Sequence, residues 1–179
     1  DIVDLAAHPI AHPAYGAKCR ETLDHEGVLV LSDFIRPAAL TALRDESIAG
    51  KDKAYFCAQN HSVYLTPPDR AFPDDHPANL QVVSSKGCIC DDDVGAQSPL
   101  RVLYDALDFR NFVATVTGQT ALHPYEDPLS SINIHYANRG QELGWHFDNS
   151  SFAITLLIQK PDAGSQFEFI KDLRDADAK

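Results

Sequence analysis

From Ser130 onward the chain changes period, and that change limits its fold more than any other feature. Ile132, Ile134 and Tyr136 alternate with Asn133 and His135, a two-residue repeat that sets apolar side chains on one face of a strand. Residues 143–148, 152–159 and 166–170 are further strand candidates, separated by turns at 138–140 and 161–164. Before Ser130 the pattern is helical. Residues 14–25 have helical spacing with Gly27 as a stop; Pro37 opens a helix through Arg44 that Gly50 closes. Residues 98–116 carry one or two helices, with Leu100, Leu103, Tyr104 and Leu107 on a common face. The short apolar run at 28–31 reads as a buried strand. Helices that lead and strands that follow, without β-α-β alternation or an internal repeat, predict an α+β, mainly β chain: a helix-flanked sandwich or jelly roll.

Between these parts the chain is irregular. Pro67, Pro68, Pro73 and Pro77 break up the stretch between Leu65 and Leu80 and predict a long surface loop. Asp91, Asp92 and Asp93 form a solvated acidic turn, without the alternating ligand spacing and glycine of a calcium loop.

With 179 residues the chain is the size of one ordinary domain. Fifteen Lys and Arg against 26 Asp and Glu give a net charge of −11, which repels phosphate backbones and anionic lipid. Nucleic acid and membrane are therefore not expected partners; a small molecule is. No apolar run nears the roughly 18 residues that cross a bilayer and no secretory segment opens the chain, so the expected location is the cytoplasm. Cys19, Cys57, Cys88 and Cys90 lack the paired spacing of a zinc site and are expected as free thiols. There is no methionine, where a usage on the order of 2% would give roughly four, and a piece of a longer chain is expected.

The chemistry centres on His146-Phe147-Asp148. On an extended segment residues i and i+2 share a face, so an imidazole nitrogen and a carboxylate oxygen can converge on one metal. Two His and one carboxylate on one face leave sites open for a cosubstrate and O2, the arrangement of non-haem Fe(II) oxygenases. Eight His and twenty Asp yield about one H-x-D by chance, so the tripeptide gains weight only from its place among strands.

That context resembles a family. Tyr136, Gly140 and Gln141, then Gly144, Trp145, His146, Phe147 and Asp148, resemble the Tyr…Gly-Gln…His-x-Asp signature of the prolyl-hydroxylase-like 2-oxoglutarate oxygenases. The stretch from Ile154 to Phe169 resembles the family's following T-L-L…G-G…F segment, with Ser165 where the second glycine stands. The runs at 63–67 and 83–88 are similar to a bacterial subgroup of amino-acid hydroxylases and radical halogenases. The resemblance implies a double-stranded β-helix (jelly roll, cupin-like) with N-terminal flanking helices, and Fe(II) and 2-oxoglutarate as cofactors. It implies hydroxylation of a small polar substrate, such as a free amino acid, with O2. His146 and Asp148 match the metal ligands, and Asn133, His135 and Tyr136 are candidates for cosubstrate or substrate contact. No catalytic residue beyond the ligands is assigned, and Trp145 is read as packing. Halogenases of this superfamily carry a small residue where Asp148 stands, so hydroxylation is favoured.

The family also needs a distal His, then an Arg or Lys for the far carboxylate of 2-oxoglutarate. After Asp148 come 31 residues (179 − 148), none of them His, and Arg174 lies too early in the chain to be the basic residue. The expected organisation is one oxygenase domain over 1–179 lacking its C-terminal strands. Residues 1–129 form the flanking region and 130–179 the first half of the core, with the distal His expected beyond Lys179. The alternative is a non-catalytic jelly roll that binds a ligand or regulates. A hydrolytic zinc site is disfavoured, because neither H-E-x-x-H nor a cysteine set is present.

Overall fold

The computed structural model describes residues 2–173, and Arg174 lies outside them. It is a mixed α/β structure: among the described residues, four helices and a small antiparallel sheet of three strands. The helices are α1 (Pro13–Glu26), α2 (Pro37–Gly50), α3 (Pro99–Asp105) and α4 (Leu107–Thr117). The strands are β1 (Tyr55–His61), β2 (Val82–Ile89) and β3 (Ile134–Tyr136). The chain divides into two compact units: Asp1–Leu43 with Pro99–Pro124 and Ile158–Lys179, and Arg44–Ser98 with Tyr125–Leu157.

In the first unit, local chemistry fixes the helix ends. Pro13 sits in the first turn of α1, where its missing N–H costs nothing, and the His12 side chain accepts from Ala14 N–H. Gly27 closes the helix in the left-handed region at φ 76°, its N–H returning to Leu23 O. α1 packs on α4, with Tyr15 stacked on Phe112 at 5.8 Å between ring centres. Phe112, Val113 and Val116 of α4 are buried at helical spacing, together with Ile10 and Cys19.

In the second unit the sheet runs β1-β2-β3, both pairs antiparallel. Tyr55 faces Cys88 and His61 faces Val82 across the first pair; Gly87 faces Tyr136 and Ile89 faces Ile134 across the second. Ile89, Ile132 and Ile134 are buried, and Tyr136 O–H donates to Ser47 O at 2.7 Å. The loop between β1 and β2 is as long as its prolines predict, and Asn79 organises it. Its Oδ1 accepts from Asp69 N–H, and its Nδ2 donates to the carbonyls of Asp69, Phe72 and Pro73.

Several expected strands are not strands here. The run at 28–31 is irregular, with Val30 75% exposed. Residues 143–148, 152–159 and 166–170 lie outside any ladder. A strand exists by pairing its N–H and C=O groups with a neighbour, and among the described residues no backbone hydrogen bond ties 152–159 or 166–170 to another segment. Ile154, Leu157, Phe167 and Ile170 are correspondingly exposed. Ser165, where the resembling family carries glycine, is held at φ 53°, a left-handed conformation that glycine adopts more easily. Conversely, β1 and β2 are strands that periodicity does not announce.

Candidate metal centre

The segment carrying His146 and Asp148 is laid along β2 by bonds at both ends. Beyond β3 the chain turns, with Gln141 N–H donating to Asn138 O, and meets β2 again where Ser85 N–H donates to Glu142 O at 2.7 Å. Gly144 N–H then donates to Ser84 Oγ at 3.0 Å. At the far end, Phe147 N–H donates to Val63 O at 2.8 Å, and the Phe147 ring stacks on Tyr64 with centres 5.4 Å apart.

Val63 and Tyr64 sit in a tight turn built on Ser62, which is fully buried. Ser62 N–H donates to Thr66 O, and Ser62 Oγ accepts from Tyr64 N–H while pairing with the Thr66 hydroxyl at 2.9 Å. The turn therefore holds the middle residue of the tripeptide by main chain and by ring.

With Phe147 committed to Tyr64, the residues on either side share the opposite face. His146 Nε2 stands 3.3 Å from Asp148 Oδ1. The other ring nitrogen, Nδ1, lies 2.7 Å from Gly144 O, and because a carbonyl only accepts, Nδ1 carries the proton. In the neutral ring, Nε2 is left with its lone pair toward the carboxylate, the tautomer that a metal-binding His needs. Bonds of about 2.1 Å at right angles would separate two donor atoms by about 3.0 Å, close to what is seen. The pair fits two adjacent ligands of one Fe(II). Their side chains are 29% and 58% exposed, leaving the face that the two donors share open to solvent. No group of three His, Cys, Asp or Glu able to hold a metal occurs among the described residues, so the two donors stand without a third.

Asn133, His135 and Tyr136 lie elsewhere on the sheet. His135 faces Cys88, four residues along β2 from Ser84, about 13 Å at strand rise. Its Nε2 is 3.4 Å from Lys86 Nζ. Burial of its packed side, and then the Lys86 charge, hold its pKa below the usual value. Tyr136 is tied to Ser47, and its pKa is raised by burial, then by Glu46 and Cys88. Asn133 Nδ2 donates to the carbonyls of Leu129 and Ile132. The structure brings His146 and Asp148 together, and it does not bring these three to them. Trp145 is half-exposed.

Two residues that sequence reasoning did not single out stand at the centre. His61 is buried with its ring edge-on to His146, centres 6.3 Å apart and planes at 89°. Ser84 bonds to both His61 and Gly144. Ser84 lies in the run at 83–88 that resembles the amino-acid hydroxylase subgroup, and His61 stands two residues before the run at 63–67, so a weak signal was present.

A family model described as Halogenase D matches residues 73–176, more than half of the chain, from the loop before β2 past His146 and Asp148. No curated protein and no solved structure matches. Among the described residues, no helix is long and apolar enough to cross a membrane.

Proposed function

The chain belongs to the halogenase D family, and from that premise we propose that it is the iron-binding part of an Fe(II)- and 2-oxoglutarate-dependent dioxygenase that hydroxylates a small polar substrate, such as a free amino acid. The observation that carries the reading is the convergence of His146 Nε2 and Asp148 Oδ1 with Nδ1 already committed to Gly144 O. The fold proposed around the pair is a double-stranded β-helix, with residues 1–179 forming one oxygenase domain, 1–129 its flanking region and 130–179 the opening of its core. In that arrangement β1 and β2 belong to the flanking region.

When bound, Fe(II) and 2-oxoglutarate would supply activation of O2, with 2-oxoglutarate losing carbon dioxide to become succinate, one oxygen atom leaving in succinate and the other reaching the substrate. The chain's own share is to hold two ligands. His146 offers a neutral nitrogen, Asp148 an anionic oxygen, and the Phe147 bonds to Val63 and Tyr64 keep the two on one face. Asn133, His135 and Tyr136 remain proposed contacts for cosubstrate or substrate, at the other end of β2.

The test is anaerobic Fe(II) titration of the chain, read by quenching of Trp145, its one tryptophan. It is paired with succinate formation from 2-oxoglutarate by the whole protein. Binding and succinate formation should need Fe(II), succinate should also need O2, and His146→Ala or Asp148→Ala should reduce both strongly. Undiminished binding in both variants would end the assignment. The family description favours a second reading, halogenation, which requires a free coordination position where Asp148 stands.

A further inference from the structure

The buried imidazole of His61 is used by nothing in the proposed reaction, yet its bonds form a directed path to His146. His61 Nδ1 lies 2.8 Å from Ser62 O, so that nitrogen carries a proton and donates. His61 Nε2 is 2.6 Å from Ser84 Oγ and accepts the hydroxyl proton. With its hydrogen committed to His61, Ser84 Oγ turns a lone pair to Gly144 N–H at 3.0 Å. The same Gly144 offers its carbonyl to His146 Nδ1 at 2.7 Å. Each hydrogen bond along His61, Ser84, Gly144 and His146 runs in one direction, and the last keeps a proton on His146 Nδ1, so that Nε2, beside Asp148 Oδ1, is the nitrogen offered to a metal.

We infer that His61 and Ser84 are positioning residues that hold Gly144, and through its carbonyl fix the tautomer and orientation of the metal-binding His146. This rests on the metal assignment proposed above. The path gives Ser62 a double role: its carbonyl orients His61, and its side chain builds the turn whose Val63 carbonyl holds Phe147. One buried corner thus sets both His146 and the residue beside it. Outer hydrogen-bond partners of metal-binding imidazoles typically contribute 10–100-fold to affinity.

The experiment compares the unchanged chain with Ser84→Ala, Ser84→Thr and His61→Gln. Nitrogen-15 NMR of the histidine rings in metal-free protein, taken at a pH high enough to keep them neutral, should show His146 with a pyrrole-type Nδ1 and a pyridine-type Nε2. Ser84→Ala should average these signals and weaken Fe(II) binding about tenfold or more, with helix content unchanged. Ser84→Thr, which keeps the hydroxyl, should restore both. His61→Gln tests the path from its other end and should shift the His146 signals in the same direction. Unchanged His146 signals and unchanged Fe(II) affinity in both Ser84→Ala and His61→Gln would overturn the inference, and it would also fall if Ser84→Thr behaved as Ser84→Ala. If His146→Ala and Asp148→Ala reduce binding while Ser84→Ala does not, the inference fails and the metal assignment stands. If neither ligand variant reduces binding, the assignment fails and takes this inference with it.

Discussion

Gly144 is packed so closely on Val82 that a Cβ at position 144 would stand 2.8 Å from Val82 Cγ2, and equally close to Val83 O. A side-chain methyl can give way, but a backbone oxygen in β2 cannot move without disturbing the sheet. Gly144→Ala should therefore lift the segment from β2, breaking the bond to Ser84 Oγ and displacing the carbonyl that His146 uses. The expected outcome is a loss of about 1–3 kcal/mol in stability and Fe(II) affinity reduced at least as much as in Ser84→Ala. Denaturant unfolding and metal titration check the two parts, and a variant as stable and as tight-binding as the parent would refute the packing argument.

Asn79 is the fastening of the loop between β1 and β2. It is buried, it accepts one backbone N–H, and its amide group is shared among three carbonyls. Asn79→Ala leaves those groups without their partner at a cost of about 1–3 kcal/mol. Limited proteolysis should cut within residues 62–81 faster than in the parent. Because Val63 in this stretch holds Phe147, weaker Fe(II) binding should accompany the faster cleavage.

The helices of the first unit are legible in the sequence because their signals are local. Gly27 and Pro37 mark ends that do not depend on distant partners. β3 was legible because Ile132 and Ile134 are buried alternately, with Asn133 and His135 exposed between them. β1 lacks that alternation: six of its seven positions are exposed or half-exposed, so pairing with β2, and not burial, makes it a strand. The runs at 28–31 and 152–159 failed for the opposite reason, having the composition of strands without a ladder neighbour among the described residues. At the site, two-residue spacing was enough to pair His146 with Asp148. His61 and Ser84 are 85 and 62 residues before His146 (146 − 61 and 146 − 84), and no spacing rule reaches across an antiparallel pair of unknown register.

His135 gives a prediction about pH. Burial, reinforced by the Lys86 charge, lowers its pKa from the ordinary 6.5, so the folded chain favours the neutral ring. Above 6.5 the ring is neutral in both folded and unfolded chains and has no effect on their balance. As pH falls below 6.5 the unfolded chain takes up the proton first, and stability drops until the folded pKa is passed. His135→Asn should remove that part of the acid loss. Lys86→Ala should raise the His135 pKa part of the way toward 6.5 and leave the part due to burial. Proton NMR titration of the ring reads the pKa directly, and a His135 that titrates at or above 6.5 in the parent would contradict the environment described.

In the reaction proposed above, Asp148 decides between hydroxylation and halogenation. As an iron ligand, the carboxylate oxygen that lies 3.3 Å from His146 Nε2 would take the position that a halide needs, and it would supply the anionic charge that a bound chloride otherwise provides. The substrate should therefore gain one oxygen even in excess chloride. The whole protein is incubated with free amino acids, Fe(II), 2-oxoglutarate and chloride, and product masses are read. A chlorinated product from the unmutated protein would overturn the role given to Asp148 and favour the halogenation reading. Asp148→Gly empties the position, so Fe(II) affinity should fall and hydroxylation with it, while chloride should partly restore Fe(II) binding in this variant alone. If chloride raised the affinity of parent and variant alike, the carboxylate would not be holding that position. If no amino acid is turned over, only the substrate class fails, because succinate formed without substrate still reports whether O2 is activated at His146 and Asp148.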